Sequence, residues 1–458
     1  DPKAHRCRGH RPRSALSDDG SQPAGVADDG GGPLTENSHS PPLEKHENHQ
    51  TVQKQISERA IVSLIGAVQF VNVLDFMMIM PLGPDLGAAL GIPASKLGLL
   101  SFGYAAAASV AGALGALILD RFDRRNALAL TLVGLALGTM AGGLSVGMWS
   151  MLLSRVLAGL FGGPATSVAM ALLVDVVPQE RRGRAIGSIM GAFSAASVLG
   201  VPAGLWLARH GGWRSPFFIV GSLGVVAAVV TMSVLPQMRA HLSRSKQQTP
   251  DAPEPEVNLL KILGRPEVQC SLLLVMLTMI SSFSIVPNIA AYLQFNQGLP
   301  RQDLEYLYAM GGFVSFFSMR LVGRLVDRVG SNRVAVVGTL LFLSDLVCGF
   351  YFPAMLLPIP VVFVAYMVAT STRAVAMNTV TTRVALPHER ARYQSMQSAI
   401  QHLGQGTGSL VGAALLSELP NRQLVGMSHV VLLAMTLAAL QPPLLWVLQR
   451  RIARRSEK

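Results

Sequence analysis

The chain has 458 residues, 50% of them hydrophobic and 14% charged, with a formal net charge of +12. A soluble protein carries about 25% charged residues, so this composition excludes an ordinary soluble domain and points to an integral membrane protein. The positive charge does not call for nucleic acid, because the arginines sit in short loops between apolar runs and form no basic face interleaved with aromatics.

Residues 1–55 are rich in Asp, Gly, Pro, Ser and His and nearly free of large apolar side chains. Such a stretch cannot bury a core, so it is expected to be a disordered tail; it also lacks the apolar run of a cleavable signal peptide. Its histidines (His5, His10, His39, His46, His49) are read as solvated, and no metal site is expected. The cysteines Cys7, Cys270 and Cys348 have neither disulfide nor metal-ligand spacing.

From Ala60 onward the chain runs through apolar segments of about 20 residues, the length that crosses a bilayer as a helix. Twelve segments are read, starting near Ala60, Lys96, Asn126, Trp149, Arg184, Ser215, Val268, Leu304, Asn332, Leu356, Arg392 and Gly426. A polar stretch with the acidic run Asp251–Glu256 divides them six and six. The expected organisation is a tail (1–55), a six-helix bundle (56–236), a linker (237–265), a second six-helix bundle (266–450) and a basic C-terminal tail (451–458). The fold class is an all-α membrane protein with twelve transmembrane helices in two pseudo-symmetric six-helix bundles.

Loop charge orients the chain. One set of connections carries Arg121, Arg124, Arg125, Arg181, Arg182, Arg184, Arg328, Arg333, Arg390, Arg392 and the arginines from Arg450 on; the other carries only Lys96, Arg209, Arg214, Arg301 and Arg422. The positive-inside rule then places both termini and the linker in the cytoplasm. The charged turn Asp120-Arg121-Phe122-Asp123-Arg124-Arg125 after the second segment returns as Gly323-Arg324-Leu325-Val326-Asp327-Arg328-Val329-Gly330 after the eighth. A second pair, Pro178-Gln179-Glu180-Arg181-Arg182-Gly183-Arg184 and Pro387-His388-Glu389-Arg390-Ala391-Arg392, recurs at a similar offset. Two pairs at one spacing indicate a six-plus-six repeat.

Several side chains stand out against this apolar background. Asp75 lies near the middle of the first segment, where an ionisable group is costly and functional by default; Gln69 and Asn72 precede it on one face. Asp75 is expected to carry the coupling proton, the competing reading being a structural hydrogen bond to a neighbouring helix. Arg155 and Arg373 fall inside the fourth and tenth segments, where a guanidinium needs carboxylate or carbonyl partners; each is a candidate to pair with Asp75, to recognise an anionic substrate or to hold helix packing. Gln394, Gln397, Gln401 and Gln405 share one face of the eleventh segment. They suit either the wall of a polar cavity or hydrogen bonds between helices, and Asn288 after Pro287 is a similar candidate. Met77, Met78 and Met80 around Phe76 fit an adaptable apolar wall or ordinary packing. Asp345 in the ninth segment is a further acid.

With these residues in view, the chain from Ile56 onward resembles the major facilitator superfamily. The family's loop pattern Gly-x-Leu-x-Asp-Arg-x-Gly-Arg-Arg is matched at Asp120, Arg121, Arg124 and Arg125, with Ala116 and Asp123 in place of its two glycines. The second copy matches at Gly323, Leu325, Asp327, Arg328 and Gly330. Leu74-Asp75, Met80-Pro81-Leu82-Gly83-Pro84, Arg155-Val156-Leu157-Ala158-Gly159, Gly200-Val201-Pro202-Ala203-Gly204 and Gly212-Trp213-Arg214-Ser215-Pro216-Phe217 are similar to the bacterial drug/proton antiporters and sugar-efflux permeases. The resemblance implies that the loops with Asp120, Arg121, Arg124, Arg125, Gly323, Asp327 and Arg328 gate the cytoplasmic side, against the plainer reading of a topology anchor. Gly200, Pro202 and Gly204 are expected to bend the fifth helix and allow close backbone approach, the competing reading being ordinary tight packing.

The resulting expectation is a secondary transporter in a bacterial cytoplasmic membrane, working as a monomer and exporting a small amphipathic or drug-like compound in exchange for protons. The cavity is expected around Gln69, Asn72, Asp75, Arg155, Asn288, Arg373, Gln397, Gln401 and Gln405. A sugar or other metabolite permease, possibly an importer, and a non-transporting sensor on the same scaffold are the alternatives. No Gly-x-x-x-x-Gly-Lys-Ser/Thr loop is present, so direct drive by ATP is not expected; nor is a nucleophile–base pair, a cofactor or an enzymatic activity.

Overall fold

The structure is a computed structural model that describes residues 58–118, 122–178, 181, 185, 189, 191–192, 195–236, 259–352, 356–386 and 389–456. The expected tail, most of the expected linker, and Asp120 and Arg121 lie outside the described residues. The first half contains α1 (Glu58–Met78), the short α2 (Gly83–Leu90), α3 (Leu97–Ile118), α4 (Arg124–Gly143), α5 (Met148–Val176), α6 (Val201–Gly211) and α7 (Ser215–Val234). The second contains α8 (Pro266–Phe283), α9 (Ile289–Phe295), α10 (Asp303–Val329), α11 (Ser331–Leu346), α12 (Ile359–Thr381), α13 (Arg390–Leu415), α14 (Met427–Ala439) and α15 (Gln441–Ser456).

Eleven of the twelve expected starts fall within three residues of a helix start; the other, near Arg184, is in a stretch described only in part. Ten spans among the described residues are long and apolar enough to cross a membrane. The eleventh segment, α13, is 26 residues long but diluted by its glutamines and His402.

Proline sets the breaks. Pro287, which has no N–H to give, sits in the 3-10 turn Val286–Asn288 that separates α8 from α9. Pro442 and Pro443 open α15 where the last span divides at Leu440. Pro202 opens α6 directly after the π-helical turn Ala196–Gly200, so the expected bend of the fifth segment takes the form of a widened turn. In the connection from α13 to α14, Ser417–Glu418 pairs antiparallel with Leu424–Val425.

Within each half, helices meet backbone to backbone through glycines four residues apart. Gly159 and Gly163 on α5 lie against the carbonyls of Tyr104 and Ala108 on α3, and a Cβ at either would overlap those oxygens. Gly404, Gly408 and Gly412 do the same for α13 against Met276, Ile280 and Ser284 along α8 and just past its end. In a bilayer, where lipid tails are as apolar as leucine, this close fit is what drives helix association. The halves meet along α3 with α13, where Ser109 donates to the Ala399 carbonyl at 2.8 Å, and where Gly312 of α10 crosses Ser197 of the π turn.

Candidate functional site

Asp75 is fully buried and lies three residues before the end of α1, not near the middle of its helix. This places it toward the membrane face away from the arginine-rich loops. Its Oδ1 accepts from Arg155 Nη1 at 3.1 Å and from the Thr139 hydroxyl at 2.7 Å. Three helices of the first half, α1, α4 and α5, thus converge on one oxygen atom. The other oxygen, Oδ2, has no protein hydrogen-bond partner, and neither do Arg155 Nε and Nη2. Arg155 rests 5.3 Å from the Phe217 ring centroid of α7. The alternatives for Arg155 therefore resolve to pairing with Asp75. Such a pair is held by geometry yet only half satisfied, and burying charged groups with unmet hydrogen-bonding capacity carries a desolvation cost.

Asn72, one turn earlier, is occupied by packing: it accepts from Tyr104 at 2.7 Å and donates to the Gly162 carbonyl at 2.9 Å and the Thr166 hydroxyl at 2.6 Å. It ties α1 to α3 and α5 rather than lining a cavity. Gln69 is buried beside it with its carbonyl oxygen unpaired.

Arg373 does not reach Asp75. It donates from Nε to Gln441 at 2.6 Å and from Nη2 to Ser281 at 3.5 Å, while Gln441 donates back to the Arg373 carbonyl at 3.1 Å. Its guanidinium stacks 4.2 Å above the Phe342 ring. It is the centre of a second polar cluster joining α8, α11, α12 and α15.

Between the halves, Phe76 of α1 meets Tyr104 of α3 (5.2 Å between ring centroids), Phe283 of α8 (5.8 Å) and, edge-on, His402 of α13 (6.5 Å). His402 is held to Gln405 at 3.1 Å. Gln401 and His402 are half-buried, whereas Gln397 and Gln405 are buried, Gln397 donating to Thr381 at 3.4 Å. The glutamine face thus divides, part facing the seam and part joining helices. Asn288 is fully buried and donates to the Ser284 carbonyl at 3.3 Å, bracing the break between α8 and α9.

The gating residues are divided as well. Asp123, which replaces a glycine of the family pattern, caps α4 by accepting from the Arg125 N–H at 2.9 Å. Arg124 pairs with Asp175 at 3.3 Å, and Arg125 donates to the Met232 carbonyl. Gly323, Asp327 and Arg328 lie on α10, which continues to Val329, rather than in a loop; nothing in that stretch stops a helix until Gly330 turns the chain at φ 91°. Gly200 packs against Leu74 of α1, where a Cβ would overlap it, whereas Gly204 is buried but a Cβ there would point into open space.

Ion pairs sort by membrane face. On the arginine-rich face, the pairs among the described residues stay within one half: Arg124–Asp175, Arg181–Glu58 at 2.9 Å, Arg265–Glu389 at 2.6 Å and Arg455–Glu267 at 3.3 Å. On the opposite face they join the halves. Arg301 grips Asp85 of α2 through Nε at 2.8 and 2.9 Å and Nη2 at 2.5 Å, Arg209 of α6 pairs with Glu305 of α10, and Glu418 accepts from the Ala94 N–H. Sequence reading missed this latch, although four scarce charges of complementary sign on one face were its signal. It also missed Thr139, which the fold brings to Asp75, and Ser281 and Gln441, which it brings to Arg373.

A sequence model described as Major Facilitator Superfamily matches residues 65–372 and 271–457. Among curated relatives, a chloramphenicol resistance protein of Streptomyces lividans is 26% identical over 360 residues, covering 78% of this chain and 88% of the relative. Multidrug resistance protein 2 of Bacillus subtilis is 23% identical over 309 residues, covering 65% and 76%. Among solved structures, a bacterial homolog to the human lysosomal transporter Spinster, described as inward-facing and unoccupied, superposes with a TM-score of 0.64 at 15% identity, covering 87% of this chain and 98% of that one.

Proposed function

The chain belongs to the major facilitator superfamily, and on that premise we propose that it is a proton-coupled exporter of small amphipathic compounds, working by alternating access with Asp75 as the proton carrier. The observation that carries this reading is the half-satisfied Asp75–Arg155 pair: one carboxylate oxygen is anchored by Arg155 and Thr139, the other is free of protein partners. A proton arriving at the free oxygen cancels the negative charge that holds Arg155. The released guanidinium then shifts against Phe217, and the packing of α1, α5 and α7 changes with it. Proton loss restores the pair, so the protonation state and the arrangement of the first half are linked.

The substrate would sit at the seam, where Phe76, Tyr104 and Phe283 offer flat apolar faces and Gln401 and His402 a polar edge. That mixture suits a compound with one aromatic and one hydrogen-bonding side. The names of the relatives, for chloramphenicol and for several drugs, agree in chemical kind. Drive by protons, a monomeric state, cytoplasmic termini and a bacterial inner-membrane address belong to the same proposal, as do the boundaries of the two bundles at 56–236 and 266–450.

The test is transport by the purified protein in liposomes under an imposed pH gradient, using a panel of labelled aromatic amphiphiles and sugars. The wild type is expected to accumulate at least one amphiphile against its gradient. Asp75→Asn should retain downhill exchange, because the amide oxygen can still accept from Thr139 and Arg155, but should lose accumulation. Uphill transport that survives Asp75→Asn would refute the assignment, and accumulation confined to sugars would favour the permease reading.

A further inference from the structure

A second carboxyl in the other half is buried with less support than Asp75. Asp345, near the end of α11, is 5% exposed, and neither of its carboxyl oxygens has a protein hydrogen-bond partner. Its surroundings are well defined. One turn before it, the Phe342 ring lies 4.2 Å from the Arg373 guanidinium and 5.6 Å from the Tyr366 ring, and Tyr366 is within electrostatic reach of both Asp345 and Arg373. The Tyr366 hydroxyl is engaged, donating to the Ser282 carbonyl at 3.1 Å. Arg373 keeps one guanidinium nitrogen, Nη1, without a partner.

An ionised carboxylate with no partner in a water-excluded layer costs several kcal/mol, and a guanidinium nitrogen facing no acceptor adds to that cost. Both are relieved if Asp345 holds a proton or if the two groups meet. We propose that Asp345 is a second proton-carrying acid, neutral in the conformation described here and discharged when Arg373 moves to pair with it in the alternate one. The step is a transfer of one proton from the carboxyl to water, with Arg373 cationic throughout, so charge is conserved by the ion pair that forms. This inference rests on the proton-coupled reading above and extends it from one proton to two.

The charged and titratable groups near Asp345 are few. From α12 come Tyr366 and Arg373, and from α10 Tyr308, whose ring packs 4.8 Å from Phe363. The other helices packed on α11 add His429 in the first turn of α14 and, on α15, only the arginines from Arg450 on. α10 also carries Asp303, Glu305 and Asp327; Glu305 pairs with Arg209, and none of the three is bonded to Arg373, whose partners are Gln441 and Ser281. Arg373 is already held by neutral partners, Gln441 and Ser281, which it can leave without stranding a charge.

Two measurements on the full chain test this. Infrared difference spectra of the purified protein, recorded between acid and alkaline pH, should show protonated-carboxyl stretching intensity, one component of which is lost in Asp345→Asn and kept in Asp75→Asn. In liposomes, the number of protons moved per substrate should fall by one in Asp345→Asn and return in Asp345→Glu. Asparagine mimics the neutral acid, so the variant should keep its fold and its downhill exchange. A band unchanged in Asp345→Asn, or an unchanged proton count, overturns the proposal. Loss of gradient-driven transport as a whole is tested by Asp75→Asn and bears on the first reading alone, because the infrared band needs no transport.

Discussion

The pair between Asp85 and Arg301 is the contact whose removal should shift the molecule between its two orientations most cleanly. Both side chains are 24% exposed, and three nitrogen–oxygen contacts between 2.5 and 2.9 Å make the grip two-pronged. An exposed ion pair contributes about 0–1 kcal/mol, and a well-ordered bidentate one lies at the upper end; with water reaching a quarter of each side chain, about 1 kcal/mol is the figure to use. The pair joins α2 of one half to the entrance of α10 in the other, so it stabilises only the state in which this face is closed. Replacing Asp85 with Asn should therefore raise the ratio of open to closed molecules on this face about fivefold, since 1.4 kcal/mol corresponds to about tenfold. Spin labels at Ala89→Cys and Gln302→Cys, both exposed positions flanking the pair, in a background lacking Cys7, Cys270 and Cys348, would report the two populations as two distances. The double variant with Arg301→Gln should shift the ratio no further than Asp85→Asn alone. A distance distribution indifferent to Asp85→Asn would refute the claim that this pair is a latch.

Two further outcomes follow from the packing. Gly159→Ala places a methyl group on the Tyr104 carbonyl, a backbone atom that cannot step aside; overpacking of this kind costs about 1–3 kcal/mol, so thermal unfolding of the purified protein should begin several degrees lower, whereas Gly204→Ala, with open space around it, should be neutral. Asp123→Ala removes the cap of α4 and should cost about 1 kcal/mol of stability while leaving transport rates close to wild type. A large loss of transport at unchanged stability would move Asp123 from a capping role to a gating one.

The spans were legible because the bilayer imposes one length on every crossing helix. Asp75 was legible for the same reason, a charge where the solvent is hydrocarbon. Its partner was not. Arg155 and Arg373 look equivalent as buried guanidiniums, and only the convergence of α1, α4 and α5 decides that the first meets Asp75 while the second, 218 residues further on, is held by Gln441 and Ser281. The copy of the charged turn after the eighth segment was read as a loop by analogy with the first. Local chemistry favours a helix there, because its charges lie on a helical face and its first real helix breaker is Gly330.

The distribution of close contacts then says which parts of the molecule can move. Inside each half, Gly159 and Gly163 of α5 against α3, and Gly404, Gly408 and Gly412 of α13 against α8, bring backbone against backbone over two to three turns. Sliding such a surface would drive side chains into carbonyls, so these crossings move as blocks. The halves also meet along several turns of α3 and α13, from Gly98 against Ser409 through Gly406 against Ala105 to Ser109 against Ala399, and at Gly312 against Ser197 beside the π turn that precedes Pro202. The ion pairs between the halves, Asp85–Arg301 and Arg209–Glu305, lie at the far face and contribute little individually. The larger electrostatic strain is inside the halves, at Asp75–Arg155 and around Asp345 and Arg373. In the proposed proton-coupled cycle, a change of protonation at those charges would exchange one arrangement of the halves for the other.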